Sequence, residues 1–254
     1  MGEHMKDFSI VRLKNVSLEM GERVLLNQLT FSLSSAEIVG LIGPPGAGKS
    51  LLLKVIAGLI PFTQGDVWVC GESLVGKNEA ALVAHRQRLG MVFQNNALFD
   101  SLTVFDNVAF PLRVHGEVDD VEIRHCVEKR LTDVGLSHIG PLSIHELSGG
   151  MKKRVAIARA TIHDPVLCLY DEPTAGLDPV TAAKIYALIK SFSMTHQATA
   201  LIVSHELDTL FAVCDRVLML HNGQLLFDGS PQHIGDAENR AVRQFARGSD
   251  IGPL

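Results

Sequence analysis

The sequence has no long apolar run. A helix that spans a bilayer needs roughly 18 or more consecutive apolar residues, and no stretch of this chain reaches that length. The first fifteen residues, MGEHMKDFSIVRLKN, also lack the apolar centre of a signal peptide. We therefore expect a chain that does not cross a membrane and that, if it works at one, is held there by a partner.

Cysteine and positive charge are also scarce. The four cysteines are scattered and form no CxxC pair, so neither a disulfide framework nor a zinc site is indicated, which is typical of a reducing compartment. The formal net charge of −5 gives no indication of a nucleic-acid binder driven by bulk electrostatics. The hydrophobic share of 46% across 254 residues is that of a globular chain with a sizeable core.

The predicted elements are α/β at both ends of the chain and helical in the middle. Helical patterns cover 104–115, 119–134 and 148–163, whereas strand-like segments precede and follow them. Because these strands are almost continuously apolar, they favour a parallel sheet covered on both faces. The strand-like segments are FSIVRLKNVSL, RVLLNQLTFSL, EIVGLIG, GDVWVCG, LGMVFQ, VLCLY, TALIVS, RVLMLHNG and QLLFDG. Further helices are expected from GKSLLLKVIAGL, which ends at Gly58, and from PVTAAKIYALIKSF.

A glycine-rich motif, GPPGAGKS, joins the third strand to a helix and fits the pattern G-x-x-x-x-G-K-[ST]. Backbone N–H groups in such a turn, together with the helix N-terminus, surround phosphate oxygens. Lys49 is expected to neutralise the β- and γ-phosphates, and the Ser50 hydroxyl to bind Mg²⁺. The predicted nucleotide-binding residues are Gly43, Pro44, Pro45, Gly46, Ala47, Gly48, Lys49, Ser50 and Leu51.

Two neighbouring carboxylates, Asp171 and Glu172, end the apolar strand VLCLY. Asp171 is predicted to hold Mg²⁺ directly or through water, and Glu172 to polarise the attacking water as general base. Taken alone, the pair could be an ordinary acidic turn after a strand. In a chain that also has the glycine-rich motif, it predicts a nucleoside triphosphate hydrolase or transferase.

The segment LSGGM places Ser148, Gly149 and Gly150 at the start of a helix. Serine is a favoured N-cap, but glycine costs about 1 kcal/mol relative to alanine inside a helix. A plain capped helix leaves the double glycine unexplained. A backbone that closely approaches another molecule's phosphate explains it, so we predict a second anion site here.

The ordered set GPPGAGKS, Gln94, LSGGM, LCLYDEP, GLD and His205 resembles the ATP-binding cassette (ABC) family from about residue 8 to 248. The resemblance implies an α/β P-loop NTPase fold with a RecA-like core, an N-terminal antiparallel β-subdomain and an inserted helical subdomain. It divides the chain into a core (about 8–94 and 165–235), a helical subdomain (about 95–164) and a C-terminal tail (236–254).

The same resemblance implies a homodimer in which each ATP lies between the glycine-rich motif of one protomer and Ser148–Gly150 of the other. Gln94 is implied to join the core to the helical subdomain and, with Ser50 and Asp171, to contact Mg²⁺. Asp178 is implied to contact the opposing cassette. His205 is implied to contact the γ-phosphate and to orient Glu172. The implied cofactors are ATP and Mg²⁺.

Two positions depart from the family pattern. Met151 replaces the usual glutamine after the double glycine, so a thioether stands where an amide is normal. Met20 occupies the place of the aromatic residue that stacks on adenine, and its sulfur can pack on a ring for about 0.3–1.5 kcal/mol. The thioether of Met151 cannot make the hydrogen bonds of an amide to the nucleotide, and the absence of an aromatic residue at Met20 predicts a loose selectivity for adenine.

Within the family, the signature LSGGMKKRVAIARA, the segment ALFDSLTVFDNVAFPLR (97–113) and the tail ENRAVRQFARG resemble the cassettes of Mla and Mce-type lipid transport systems. This implies an ATPase subunit of a phospholipid transporter, peripheral on the cytoplasmic side of the bacterial inner membrane. The implied partners are a second copy of the chain, transmembrane permease subunits of the MlaE type, a small regulatory cytoplasmic subunit and periplasmic lipid-binding proteins, with no nucleic acid.

Three alternatives remain open from the residues. The cassette could serve another cargo, such as amino acids, metals or polar compounds. A soluble ABC protein acting on ribosomes or DNA usually has two cassettes or a long insertion, and this sequence shows neither. A P-loop kinase would have no use for LSGGM or His205.

Overall fold

The computed structural model describes residues 9–116 and 119–253; Phe8, at the start of the first predicted strand, lies outside the described residues. The ten described strands form two sheets. The larger sheet has six strands, in the order β10-β9-β3-β8-β7-β6. They are β3 (Ile38–Ile42), β6 (Leu89–Val92), β7 (Leu167–Asp171), β8 (Thr199–Val203), β9 (Arg216–His221) and β10 (Gln224–Gly229).

Five of these strands are parallel, and β10 runs antiparallel to β9 at one edge. In the central strand β3, Ile38 and Ile42 belong to one apolar cluster, whereas Val39 and Leu41 belong to the other. Every residue of β3, β7 and β8 is buried. The predicted parallel sheet with two covered faces is confirmed.

The smaller sheet is antiparallel and has the order β2-β1-β4-β5. Its strands are β1 (Ser9–Met20), β2 (Arg23–Ser34), β4 (Gln64–Val69) and β5 (Glu72–Ser73). Its inner face packs in the same cluster as Val39 and Leu41, so it covers one face of the larger sheet. This arrangement confirms the expected antiparallel β-subdomain near the N-terminus.

Eight α-helices are present in the described residues. They are α1 (Lys49–Ile56), α2 (Glu79–Arg86), α3 (Val104–His115), α4 (Asp120–Asp133), α5 (Gly149–Thr161), α6 (Pro179–His196), α7 (Leu207–Phe211) and α8 (Arg240–Arg247). Helices α3, α4 and α5 share the cluster that covers the other face of the larger sheet, together with α6. None of the described helices combines the length and the apolar character that crossing a bilayer requires.

Some boundaries differ from the sequence prediction. Helix α6 continues to His196, beyond the predicted segment, and α1 ends at Ile56 rather than at Gly58. The short elements α2, α7 and β5 are absent from the prediction. Helix α8 packs on the body of the protein, and its Val242 is fully buried in the main apolar cluster.

Candidate functional site

The phosphate loop (residues 43–50) lies between β3 and α1 and is held by close backbone packing. Gly43 has φ 141° and Gly48 has φ 99°, values that favour glycine. A Cβ on Gly43 would lie 2.0 Å from the Leu220 carbonyl oxygen, and one on Gly48 would lie 2.7 Å from a methyl carbon of Leu26. These two glycines therefore allow the loop to pack on β9 and β2.

The turn between β9 and β10 supports the same loop. The Gly223 N–H donates to the Ala47 carbonyl at 3.3 Å, and the Gly223 carbonyl accepts from the Asn27 N–H at 2.9 Å. A Cβ on Gly223 would lie 2.6 Å from the Leu25 carbonyl oxygen. The tip of this hairpin thus lies between β2 and the phosphate loop and contacts both.

Lys49 begins α1 and is buried beneath the loop. Its ammonium group donates to the carbonyls of Gly43 at 2.7 Å and Pro44 at 3.0 Å. Burial lowers the pKa of Lys49, although the charges of Glu172 and Asp171 act to raise it. The ammonium is therefore already at the phosphate loop and can exchange its carbonyl partners for phosphate oxygens.

The Ser50 hydroxyl donates to the Asp171 carboxylate at 2.8 Å between Oγ and Oδ1. Two residues that are far apart in the sequence thus meet because α1 begins beside the carboxyl end of β7. A hydroxyl and a carboxylate are hard oxygen ligands of the kind that Mg²⁺ prefers. The donor set therefore fits the predicted metal.

Glu172 follows β7 with a backbone φ of 50°, which is uncommon for a residue with a Cβ. Its N–H donates to the Val203 carbonyl at 3.1 Å. Burial raises the pKa of Glu172 to about 7, opposed by the backbone of His205 and the charge of Lys49. The buried Oε1 atom has no hydrogen-bond partner among residues 9–116 and 119–253.

His205 Nε2 lies 3.0 Å from Glu172 Oε1, although the contact lacks hydrogen-bond geometry. The imidazole is half exposed, and burial followed by the charge of Lys49 lowers its pKa. A carboxylate with an unsatisfied oxygen and a neighbouring imidazole can together hold and polarise a water molecule.

These residues surround a cleft of about 510 Å³. From the predicted set, the cleft brings together most of the phosphate loop with Gln94, Glu172 and His205. Asp171 joins the site through Ser50. The lining residues are Val24, Leu25, Pro45, Gly46, Ala47, Gly48, Lys49, Ser50, Leu51, Gln94, Glu172, Val203, His205, Asn222 and Gly223.

The signature segment (Ser148–Gly150) lies elsewhere on the surface. Ser148 caps α5, and its hydroxyl accepts from the Met151 N–H at 3.3 Å. Asp178 caps α6 by accepting from the N–H groups of Val180 and Thr181 at 3.0 Å each. Neither the signature segment nor Asp178 is among the described residues that line the cleft.

A family model described as ABC transporter matches residues 26–175. The chain belongs to the ABC transporter family. Its membership makes this cassette an ATPase.

The chain is similar along almost its whole length to several curated proteins. It is 34% identical to the intermembrane phospholipid transport system ATP-binding protein MlaF of Haemophilus influenzae over 97% of this chain and 93% of that protein. It is 38% identical to TRIGALACTOSYLDIACYLGLYCEROL 3 of Arabidopsis thaliana, a chloroplastic protein, over 96% of this chain and 75% of that protein. It is 35% identical to the probable ribonucleotide transport ATP-binding protein mkl of Mycobacterium leprae over 96% of this chain and 70% of that protein.

Two solved structures share the fold. A dimeric post-hydrolysis structure of the ATP-binding cassette MJ0796, bound to ADP and Pi, gives a TM-score of 0.81 at 30% identity and covers 87% of this chain and 98% of that one. The structure of cbiO1 from Clostridium perfringens, part of the ABC transporter complex cbiONQ, gives a TM-score of 0.83 at 27% identity and covers 91% of this chain and 92% of that one.

Several cassette residues near the site were not predicted. Val24 and Leu25 line the cleft on the side of β2, where the sequence indicated Met20; the Met20 side chain is 63% exposed. Lys153 is buried on α5, although the sequence shows it only as one basic residue among several. Its spacing from the apolar Ala156 and Ile157 is the signal that places it on the inner face of the helix.

Proposed function

We propose that this chain is the ATP-hydrolysing subunit of a bacterial ABC transporter that moves phospholipids between the inner membrane and a periplasmic carrier. The proposal is supported by its similarity to MlaF of Haemophilus influenzae and of Escherichia coli, which extends over 97% of the chain in both cases. It places the chain on the cytoplasmic side of that membrane, with no nucleic-acid partner.

The phosphate loop and Lys49 bind the triphosphate. Residues 45–51 line the cleft at the start of α1, where the helix dipole favours an anion. Lys49 transfers its hydrogen bonds from the carbonyls of Gly43 and Pro44 to the phosphates. Ser50 and Asp171, with Gln94, would hold Mg²⁺, which supplies positive charge that stabilises the negative charge on the phosphoryl oxygens.

Glu172 acts as the general base. The observation that carries this assignment is the buried, unpartnered Oε1 atom of Glu172 beside His205 at the wall of the cleft. Oε1 accepts a hydrogen bond from the attacking water, and the half-exposed imidazole contacts the γ-phosphate and keeps the carboxylate in place. Burial of Glu172 keeps bulk water away from that carboxylate.

A second copy of the chain completes each site. The signature segment and Asp178 are solvent-exposed apart from the half-buried Gly150, and they lie outside the cleft of their own chain. An N-terminus of a helix that presents N–H groups to solvent suits the phosphate of a partner's ATP. The dimeric form of the structural neighbour MJ0796 supports this arrangement.

The membrane partner binds at the segment 97–113. Phe99 and Phe110 are both exposed, and their ring centroids lie 4.7 Å apart. Other apolar residues of the segment, such as Phe105, pack against the main cluster and serve the core. The exposed pair forms an apolar surface suited to a short helix of a permease subunit of the MlaE type. A small regulatory subunit and periplasmic lipid-binding proteins complete the proposed assembly.

A different cargo is the second candidate. Mycobacterial relatives at 35% identity carry a name that refers to ribonucleotide transport. Cargo is selected mainly by the membrane subunits, so residues of this chain constrain it weakly.

The test is co-purification of the chain with its permease subunits, followed by reconstitution in phospholipid vesicles. We expect co-eluting phospholipid and ATP-dependent movement of labelled phospholipid that E172Q abolishes. ATP-dependent movement of a labelled nucleotide or amino acid, without movement of phospholipid, would refute the lipid assignment. The absence of ATP hydrolysis by the purified assembly would refute the ATPase role.

A further inference from the structure

Lys153 is a buried cation on α5. Its side chain is only 4% exposed, and in the described part of the chain it forms no ion pair with a carboxylate. Its ammonium donates instead to two backbone carbonyls, that of Gln94 at 2.8 Å and that of Glu172 at 3.3 Å. A buried charge is destabilising unless it is compensated, and here these two contacts and the nearby charges of Glu172 and Asp171 stabilise the ammonium beside the site.

Both acceptors belong to residues of the proposed catalytic site. The backbone of Glu172 has a positive φ of 50°, a strained conformation that persists only when neighbouring contacts fix it. Its carbonyl accepts from Lys153 and, at 3.2 Å, from the Ala175 N–H. Lys153 therefore helps to hold the carboxylate of Glu172 in its place in the cleft.

The loop that begins at Gln94 is held by the same helix at a second point. Arg159, further along α5, donates to the carbonyls of Asn96 at 2.8 Å and Ala97 at 2.6 Å. Both acceptors have positive φ values, 62° and 50°, so this loop too is fixed by contacts from α5. A displacement of α5 must therefore displace the loop and Gln94 with it.

The N-terminus of α5 is the signature segment, which the proposed function assigns to the ATP of the partner. Lys153 lies about one turn further along the same helix. One end of α5 thus contacts the nucleotide of the partner while Lys153 contacts Gln94 and Glu172 of its own protomer.

We propose that Lys153 is a positioning residue that couples the two ATP sites of the dimer. It fixes the backbone of Gln94 and Glu172 to the helix whose N-terminus contacts the partner's ATP, so that binding at one site aligns the general base of the other. This inference rests on the proposed function. A purely structural lysine would affect stability alone.

The experiment compares steady-state ATP hydrolysis by the wild-type dimer and by K153M, K153R and K152M. Met preserves the length of the side chain but cannot donate a hydrogen bond, and Arg keeps the charge and the donors. Lys152 precedes Lys153 on the same helix and is half exposed, so K152M is the matched control. The quantities measured are kcat, the KM for ATP, the Hill coefficient and the melting temperature.

We expect a wild-type Hill coefficient above 1. K153M should lower kcat by about 10- to 100-fold, the effect of misplacing a catalytic group, with a KM close to wild type and a Hill coefficient of 1. K153R should partly restore kcat and the Hill coefficient, and K152M should match the wild type.

A Hill coefficient and kcat of K153M equal to those of the wild type would overturn the inference, as would a wild-type Hill coefficient of 1. The inference would also be overturned if the loss of kcat in K153M were fully explained by a lowered melting temperature. If K153M does not fold, K153Q serves for the same comparison. Failure of the proposed function is recognised separately, because the wild type would then not hydrolyse ATP.

Discussion

Gly150 packs directly against Thr181 where α5 meets α6, so that a Cβ built on Gly150 would lie 2.9 Å from Cγ2 of Thr181. The hydroxyl of Thr181 donates at the same time to Asp178 at 2.6 Å. Gly149 differs, because its Cβ would meet only Leu177 at an ordinary 3.7 Å. The two glycines of the signature segment therefore have different reasons to be glycine, and packing within the chain already requires the second.

A double variant tests whether packing against Thr181 requires glycine at position 150. G150A should lower the free energy of unfolding by about 1–3 kcal/mol through overpacking, and T181S should restore it because serine lacks Cγ2 but keeps the hydroxyl. G149A, the control, should stay within about 0.5 kcal/mol of wild type. Denaturant unfolding measures all four proteins. Equal destabilisation of G150A and G150A/T181S would show that Thr181 is not the cause.

Replacing the proposed general base should stop turnover without preventing nucleotide binding. E172Q keeps the shape of the side chain but cannot take a proton, so kcat should fall by at least about 100-fold. ATP affinity should remain near wild type, and the dimer should persist in ATP. Single-turnover hydrolysis and size-exclusion chromatography measure these effects. E128Q, on the exposed side of α4, is the control; normal hydrolysis by E172Q would exclude Glu172 as the base.

Ser50 and Asp171 should determine the Mg²⁺ requirement. S50A removes a hydroxyl ligand and D171N replaces a charged carboxylate with a neutral amide, so both should raise the Mg²⁺ concentration needed for half-maximal hydrolysis, and chelation should abolish hydrolysis in the wild type. S50T keeps the hydroxyl and is allowed by the motif, so it should behave like wild type. Hydrolysis titrated with Mg²⁺ gives the comparison. An unchanged titration for both S50A and D171N would place the metal elsewhere.

His85 should make the stability depend on pH. Its ring is buried, with Nε2 3.0 Å from the Ile56 carbonyl, and burial lowers its pKa despite that contact. The nearby cations Lys77 and Arg88 act in the same direction, and Glu72 opposes them. The unfolded chain therefore binds the proton more readily, so stability falls as pH drops below the unfolded pKa of about 6.5.

H85Q removes this titration and retains an amide near the position of Nε2. Melting temperatures measured between pH 5 and pH 8 should therefore fall more steeply at acidic pH for the wild type than for H85Q. The control is H125Q, since His125 is exposed on α4. Parallel curves for wild type and H85Q would show that His85 does not contribute.

The sequence was sufficient to predict the larger sheet and the phosphate loop. Strands such as β7 and β8 are short apolar runs bounded by turn residues, a pattern that length and flanking residues assign to buried strands. In the structure Asp171 and Glu172 follow β7 and His205 follows β8, so all three lie near the phosphate loop, because the carboxyl ends of parallel strands meet at one edge of a sheet.

What was missed depends on tertiary contacts. Helix α2 is only eight residues long and buries little besides His85, so its apolar periodicity is weak. The role of Lys153 depends on two carbonyl groups that are distant in the sequence, which no local pattern encodes. Likewise, only the packing of Gly150 on Thr181 distinguishes one signature glycine from the other.

The hairpin tip at Gly223 also bears on how the chain is made. The phosphate loop is translated well before the residues that contact it, Leu220 and Gly223. The strands that flank β3, which are β8 and β9, also come late in the chain. A nascent chain on the ribosome therefore lacks a finished nucleotide cradle until the hairpin of β9 and β10 has left the exit tunnel.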